Sequence, residues 1–206
     1  MLLFFKKEVG CGAKPHEKKG RRLILEKPQI VLGVTGSIAA YKAADIVSGL
    51  KKENCDIHVV MTEAATRFIT PLTLQTLSKN KVTTEIFQEE LPHDIKHISL
   101  AERADMLLVA PATANIIGKF ACGVADDMLS TLFMAMQNIP VLIAPAMNTR
   151  MYTHPAVVDN MAILKRRGAF VIEPKEGLLA CGLRGKGALA DVQDIIAAVL
   201  KALRHE

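Results

Sequence analysis

Val141-Leu-Ile-Ala-Pro-Ala-Met-Asn-Thr-Arg-Met-Tyr152 is an apolar run that breaks abruptly into polar side chains. Val141 to Ala144 shows no polar alternation, the pattern of a strand buried on both faces of a sheet. Pro145 has no N–H to donate, so the ladder is expected to stop there. Asn148 and Arg150 follow at once. In an open parallel sheet, ligands bind beyond the carboxyl ends of the strands. An amide and a guanidinium placed there can hold an anionic group, the guanidinium by charge and paired N–H donors. These residues alone fit a solvated loop after a core strand equally well.

The same grammar recurs on either side. Gln29 to Gly33 reads as a buried strand, Val34 to Ile38 as a tight turn, and Ala39 to Lys51 as a helix with Ile46, Val47 and Leu50 on its apolar face. Backbone N–H groups at Gly36 and Ser37, with the hydroxyls of Thr35 and Ser37, can approach an anion at that helix N-terminus. The turn matches neither G-x-G-x-x-G nor G-x-x-x-x-G-K-[ST]. The next strand, Asp56 to Met61, ends in Thr62, where a dinucleotide-binding unit would place an acid for the ribose. That points away from NAD and toward a ligand with a single phosphate. Thr62 also suits a helix N-cap, with Glu63 in the first turn.

Residues 63–79 read as helix in pieces, restarted by Pro71, and Val82 to Phe87 as a strand or an extended segment. A polar loop from Glu89 to Lys96 precedes a short helix, His97 to Ala104. Asp105 to Pro111 is another buried strand closed by proline. Ala112 to Ile116 then opens a helix with Thr113 and Asn115 near its N-terminus, repeating the anion-binding arrangement of the first turn. Asp126 is expected to cap a helix from Asp127 to Gln137. A helix over 155–167 is ended by Gly168, and Ala169 to Glu173 forms the last strand. Residues 174–190 contain Pro174, four glycines and one cysteine, and read as an irregular mobile flap. A helix from Val192 to Leu203 closes the chain. Strands alternating with helices predict an α/β domain with a parallel sheet covered on both faces.

With 206 residues, half of them hydrophobic, the chain suits one large domain. No apolar run approaches the ~18 residues of a membrane span. Met1 to Phe5 is too short for a signal sequence, and its lysines follow the apolar part, so a cytoplasmic protein with no membrane partner is expected. The net charge of +5 resides in residues 1–27, with eight Lys/Arg against three Asp/Glu, while the other residues balance. A basic N-terminal extension, solvated and separate from a domain over 28–206, accounts for it without a nucleic-acid partner. Cysteines 11, 55, 122 and 181 form no C-x-x-C pair, and no metal site is expected.

Gly33-Val-Thr-Gly-Ser-Ile-Ala-Ala-Tyr-Lys42, Ala110-Pro-Ala-Thr-Ala-Asn115, Pro145 to Tyr152 and Ala180-Cys-Gly182, in this order and with His97, resemble the phosphopantothenoylcysteine decarboxylases among the homo-oligomeric flavin-containing cysteine decarboxylases. The resemblance covers residues 28 to about 195. It implies a Rossmann-like doubly wound parallel sheet, with FMN as cofactor and 4'-phosphopantothenoylcysteine as substrate. It also implies trimers, or dodecamers of four trimers, with the active site at a subunit boundary. Many bacterial members are fused to a ligase. The sequence ends at Glu206, so a separate phosphopantothenoylcysteine synthetase is the expected partner. Relatives usually have tryptophan where Tyr152 stands and often glycine where Ser37 stands.

The chemistry implied by the resemblance is transient oxidation of the cysteine to a thioaldehyde, loss of carbon dioxide from the β position, and re-reduction, with FMN as the redox group. His97 maps onto the essential histidine, suited to proton abstraction near neutral pH. Without the resemblance, a histidine at a helix start with no chemical role is the simpler reading, and His93 is a decoy. Asn148 maps onto the asparagine that binds the substrate carboxylate. Cys181, in the Gly-flanked flap, maps onto the cysteine of the final reduction, as proton donor. Gly36, Ser37, Thr62, Ala112, Thr113 and Asn115 are the expected FMN contacts; Arg150, Met151, Ala180 and Gly182 join Asn148 at the substrate. Met147 and Tyr152 are expected to shape the substrate wall. Four rivals remain: a decarboxylase of peptide C-terminal cysteines, which stops at the enethiol; a prenyl-flavin synthase, which lacks His97 and the later motifs; a non-catalytic flavin-binding regulatory subunit; and a nucleic-acid-binding α/β domain, which rests only on the basic extension.

Overall fold

A strand with no polar alternation needs cover on both sides, and three strands of the sheet are of that kind. The structure, a computed structural model, describes residues 27–86, 96–178, 182 and 184–204. The central sheet comprises Gln29–Val34 (β1), Asp56–Met61 (β2), Met106–Ala112 (β3), Val141–Pro145 (β4) and Phe170–Val171 (β5). Its order is β2-β1-β3-β4-β5, and every pairing is parallel. The chain moves from β1 to one side for β2, then crosses back to the other side for β3. That reversal gives the doubly wound form expected from the sequence.

Helices fill both faces according to the two-residue period of the strands. Ile30, Leu32 and Val34 pack in one cluster with Ile46 and Leu50 of Ala43–Lys52 (α1), Leu74 of Pro71–Ser78 (α3) and Val199 of Val192–Leu203 (α9). Val31, Val109 and Ile143 face the other way. There they meet Ile116 and Phe120 of Ala114–Cys122 (α5), Leu129 of Met128–Ala135 (α6) and Leu164 of Pro155–Arg166 (α8). Three short helices complete the set: Glu63–Thr66 (α2), Lys96–Arg103 (α4) and Thr149–Tyr152 (α7).

Several boundaries differ from the sequence reading. Helix α1 is preceded by a 3₁₀ segment, Ile38–Lys42. The ladder does not stop at Pro145: that residue pairs with Ala112, and the Ala146 N–H donates to the Ala112 carbonyl at 3.0 Å. Only Thr83 of the 82–86 stretch bridges to the sheet, beside Val60. The cap of α6 is Asp127, not Asp126. Its carboxylate accepts from the Ser130 N–H at 2.8 Å, and the Ser130 hydroxyl accepts from the Asp127 N–H at 3.1 Å. Asp126 instead joins Asp127 on the Lys119 ammonium.

The larger correction concerns residues 174–190. Lys175–Leu178 (β6) and Arg184–Ala188 (β7) pair as an antiparallel hairpin, a separate two-stranded sheet. Lys-Glu-Gly-Leu and Arg-Gly-Lys-Gly-Ala lack alternating apolar residues because this hairpin leans on neighbouring backbone instead of covering a core. The expected sites at Ala180 and Cys181, the decoy His93, and the extension apart from Lys27 lie outside the described residues. Among the described residues, no helix is long and apolar enough to cross a membrane, and no group of acidic, histidine and cysteine side chains could hold a metal ion.

Replacing Asp127 with Ala removes the reciprocal cap and one partner of Lys119. We expect a loss of about 1–2 kcal/mol in urea unfolding, against a near-neutral Asp126→Ala.

Candidate active site

At the reversal point, the loops leaving β1 and β3 diverge and leave a crevice at the carboxyl edge of the sheet. A cavity of about 510 Å³ opens there, within the usual range for small-ligand sites. Four stretches line it: residues 36–39 with Tyr41 and Lys42 after β1, Thr113 and Ala114 after β3, residues 146–148 with Met151 after β4, and Gly187 to Leu189 at the end of the hairpin.

Thr35 sets the crevice's geometry. Its side chain is buried, and its hydroxyl donates to the Pro111 carbonyl at 2.7 Å and accepts from the Thr113 N–H at 3.0 Å. The sequence suggested that this hydroxyl meets an anion; it is instead spent on tying the β1 exit to the β3 exit. Ser37 does line the cavity, and its Oγ accepts from the Ala39 N–H at 3.3 Å. Gly36 is needed for a close approach, since a Cβ there would lie 2.5 Å from the Ala64 Cβ of α2. Thr113 caps α5 through a hydrogen bond from the Ile116 N–H, placing a helix N-terminus at the cavity.

Lys42 supplies a cation in the lining, and Ile38 and Tyr41 form an apolar lip. These three fell inside a quoted motif but were not singled out from the sequence. The signal was there: a turn that presents Ser37 and stays 3₁₀ brings residues three apart, such as Ile38 and Tyr41, onto one side.

Asn148 caps α7, its Oδ1 accepting from the Arg150 N–H at 2.8 Å. Strand β7 closes in behind. The Met147 N–H donates to the Gly187 carbonyl at 2.9 Å. At Gly187, with φ +149°, a Cβ would fall 2.3 Å from the Met147 carbonyl oxygen, so no side chain fits. Gly185 lies equally close to the Thr149 side chain.

Tyr152 does not line the cavity. Its hydroxyl donates to Glu173 Oε2 at 2.9 Å, and Lys186 of β7 donates to the same oxygen at 2.8 Å. Lys165 of α8 reaches Oε1 at 3.3 Å. Hydrogen bonding from Lys186, against partial burial and helped by Tyr152 and Lys165, holds the Glu173 carboxyl down at about 2. Burial, then the bond to Glu173 and its charge, pushes the Tyr152 phenol up to about 12.

Of the residues singled out by sequence, Gly36, Ser37, Thr113, Asn148 and Met151 meet at one cavity, with Met147 beside them. The others stand elsewhere on this chain. Ala112 is buried in β3, Asn115 is exposed on α5, and Thr62 caps α2 by accepting from the Ala65 N–H. Arg150 and Gly182 are exposed outside the lining. His97 lies in the first turn of α4, half-buried and also outside the lining.

The sequence profile of the family described as Flavoprotein matches residues 20–204. The chain is 48% identical to the coenzyme A biosynthesis bifunctional protein CoaBC of Bacillus subtilis, over 89% of this chain but 45% of that protein, so it spans a little under half of that relative. It is also 48% identical to a Streptococcus mutans protein named "Probable phosphopantothenoylcysteine decarboxylase", over 82% of this chain and 94% of the other. Among solved structures, a PPC decarboxylase cysteine-to-serine mutant complexed with pantothenoylaminoethenethiol superposes with a TM-score of 0.76 at 30% identity, covering 85% of this chain and 97% of that one. The FMN-dependent cysteine decarboxylase SpaF matches with a TM-score of 0.76 at 31% identity, over 86% and 96% of the two chains.

Two outcomes follow from the geometry. Thr35→Val keeps the shape but strands the Pro111 carbonyl and the Thr113 N–H, and should cost about 1–3 kcal/mol in denaturant unfolding. Glu173 has a folded pKa of about 2 against an ordinary 4.5, so its stabilising contribution is complete above pH 4.5 and disappears as pH falls toward 2. Thermal melts across that window should fall more steeply for the native chain than for Glu173→Gln, by a margin kept small by the carboxylate's exposure.

Proposed function

The chain belongs to the flavoprotein family, and on that premise we propose that it is an FMN-dependent decarboxylase converting 4'-phosphopantothenoylcysteine to 4'-phosphopantetheine in coenzyme A biosynthesis. The observation that carries this reading is a single cavity shared by an anion-binding turn, a helix N-terminus and the Asn148 amide. The residues present fit FMN. The Gly36 backbone N–H, the Ser37 hydroxyl, the start of α5 and the Lys42 ammonium suit a phosphate, the Ser37 N–H being taken by the Thr35 carbonyl at 2.8 Å. Ile38, Ala146 and Met147 offer apolar surface for a planar ring system. Bound FMN supplies a two-electron acceptor and donor, which lets a cysteine carboxylate leave without an unstabilised carbanion.

The chain's own groups do the rest. The Asn148 NH2 donates to the substrate carboxylate without bringing charge, so departure of neutral carbon dioxide is not opposed by a strong ion pair. His97 takes the proton released as the thiol-bearing carbon is oxidised. Its place on α4, outside the cavity of its own chain, supports an assembly in which a second copy completes the site; a trimer, alone or as four trimers, is the form we propose. Cys181 returns a proton in the final reduction. The substrate requires an amide-forming synthetase upstream, which we propose as a partner, and the proposed pathway supports a cytoplasmic location.

A second reading is a decarboxylase of peptide C-terminal cysteines; the likeness to SpaF supports FMN-dependent cysteine decarboxylation in general. Assaying purified, FMN-loaded protein for phosphopantetheine separates the two, since the second reading ends at an enethiol. Activity should fall by roughly a hundredfold or more in His97→Asn and in Asn148→Asp, and Cys181→Ser should accumulate the oxidised enethiol. A colourless preparation that fails to take up FMN, or native protein that leaves the substrate unchanged, would refute the reading.

A further inference from the structure

An isolated two-stranded hairpin is marginally stable, so β6–β7 depends on what it touches. One end is tied by the Lys175–Asp191 ion pair, Asp191 being the residue at the N-terminus of α9. Along β7, Gly185 and Gly187 abut the segment from Met147 to Thr149. A further attachment is made through Glu173, which precedes the hairpin in sequence. One oxygen of its carboxylate accepts from Tyr152, the last residue of α7, and from Lys186 of β7. The Lys186 ammonium also sits 5.7 Å from the centre of the Tyr152 ring. Helix α7 is one turn long and capped by Asn148, so its C-terminal anchor bears on where that amide stands.

We propose that Glu173 is a positioning residue, a latch whose single carboxylate oxygen joins α7 to β7 and so holds the Asn148 turn and the Gly187 to Leu189 wall together as one side of the cavity. The function reading above supplies the substrate for its kinetic test; the latch itself is mechanical. Lys165 adds a third strut from α8. No other described group presents a carboxylate to both Tyr152 and Lys186, so removing Glu173 leaves both donors on solvent. Neither phenol nor carboxylate changes its charge near neutral pH, and the latch stays formed across that range.

The test compares full-length, FMN-loaded native protein with Glu173→Gln, Tyr152→Phe, Lys186→Met and the Glu173→Gln/Tyr152→Phe pair. In Glu173→Gln, amide hydrogen exchange over residues 184–189 should quicken about tenfold while β1 and β3 remain protected. KM for phosphopantothenoylcysteine should rise about fivefold, with kcat within about twofold and FMN affinity unchanged. The double variant should be no worse than Glu173→Gln alone, because both changes open the same contact. Unchanged exchange over 184–189 overturns the proposal. So does faster exchange throughout the sheet, which would make Glu173 a general stabiliser. Because exchange needs no substrate, a chain that loosens as expected yet never turns over the cysteine conjugate refutes the decarboxylase reading and leaves the latch standing.

Discussion

The hydroxyl of Thr35 occupies the point where two demands meet. A parallel sheet that reverses its winding must let the loops after β1 and β3 diverge, and divergence leaves backbone groups without ladder partners. Thr35 fills both needs at once, donating to Pro111 and accepting from Thr113. The crevice therefore opens by a set amount. The Gly36–Ser37 turn and the capped start of α5 stand at its two sides, held in place by that one hydroxyl. The wall formed by Ala146 to Asn148 depends on the same framework, because Ala146 donates to Ala112 at the end of β3.

A second constraint concerns what closes the cavity from the far side. The hairpin's sequence is poor in apolar residues, and it is attached by close contact of Gly187 with the 147–149 backbone, of Gly185 with the Thr149 side chain, and by ion pairs at Lys175 and Lys186. Such contacts are weaker and more local than the two apolar clusters holding the sheet. The molecule thus divides physically into a rigid α/β body, which presents donors, and a lightly held strap, which contributes Gly187 to Leu189 to the lining. Such a division suits a site that admits and releases a ligand.

Much of this was legible in the residues. Apolar runs without alternation marked β1, β3 and β4, and proline, threonine and glycine marked their ends. Thr62 announced its cap through residue type and position, whereas Thr113 was read only as lying near a helix start and proves to be the cap of α5. The hairpin was not legible, because Lys-Glu-Gly-Leu and Arg-Gly-Lys-Gly-Ala show none of the patterning by which strands are recognised. Asp126 and Asp127 are adjacent and chemically identical; only the backbone path decided which one caps α6. Tyr152 looked like cavity wall, since it follows Met151 directly, yet a one-turn helix rotates the two side chains apart and sends the phenol to Glu173.

What the sequence determined by itself was the class of fold, the order of strand and turn, and the set of side chains able to meet an anion. Those follow from local periodicity and from the stereochemistry of proline, glycine and capping residues, which act over a few positions. What the tertiary structure alone decided was which of those side chains share a space. Thr35 and Pro111 are 76 residues apart, yet one hydrogen bond joins them, while Thr62, with the same hydroxyl, spends it on its own helix. A hydroxyl or an amide is fully specified as a donor by its chemistry. Its partner is chosen by the packing of two sheet faces, a property of the whole chain that no single stretch contains.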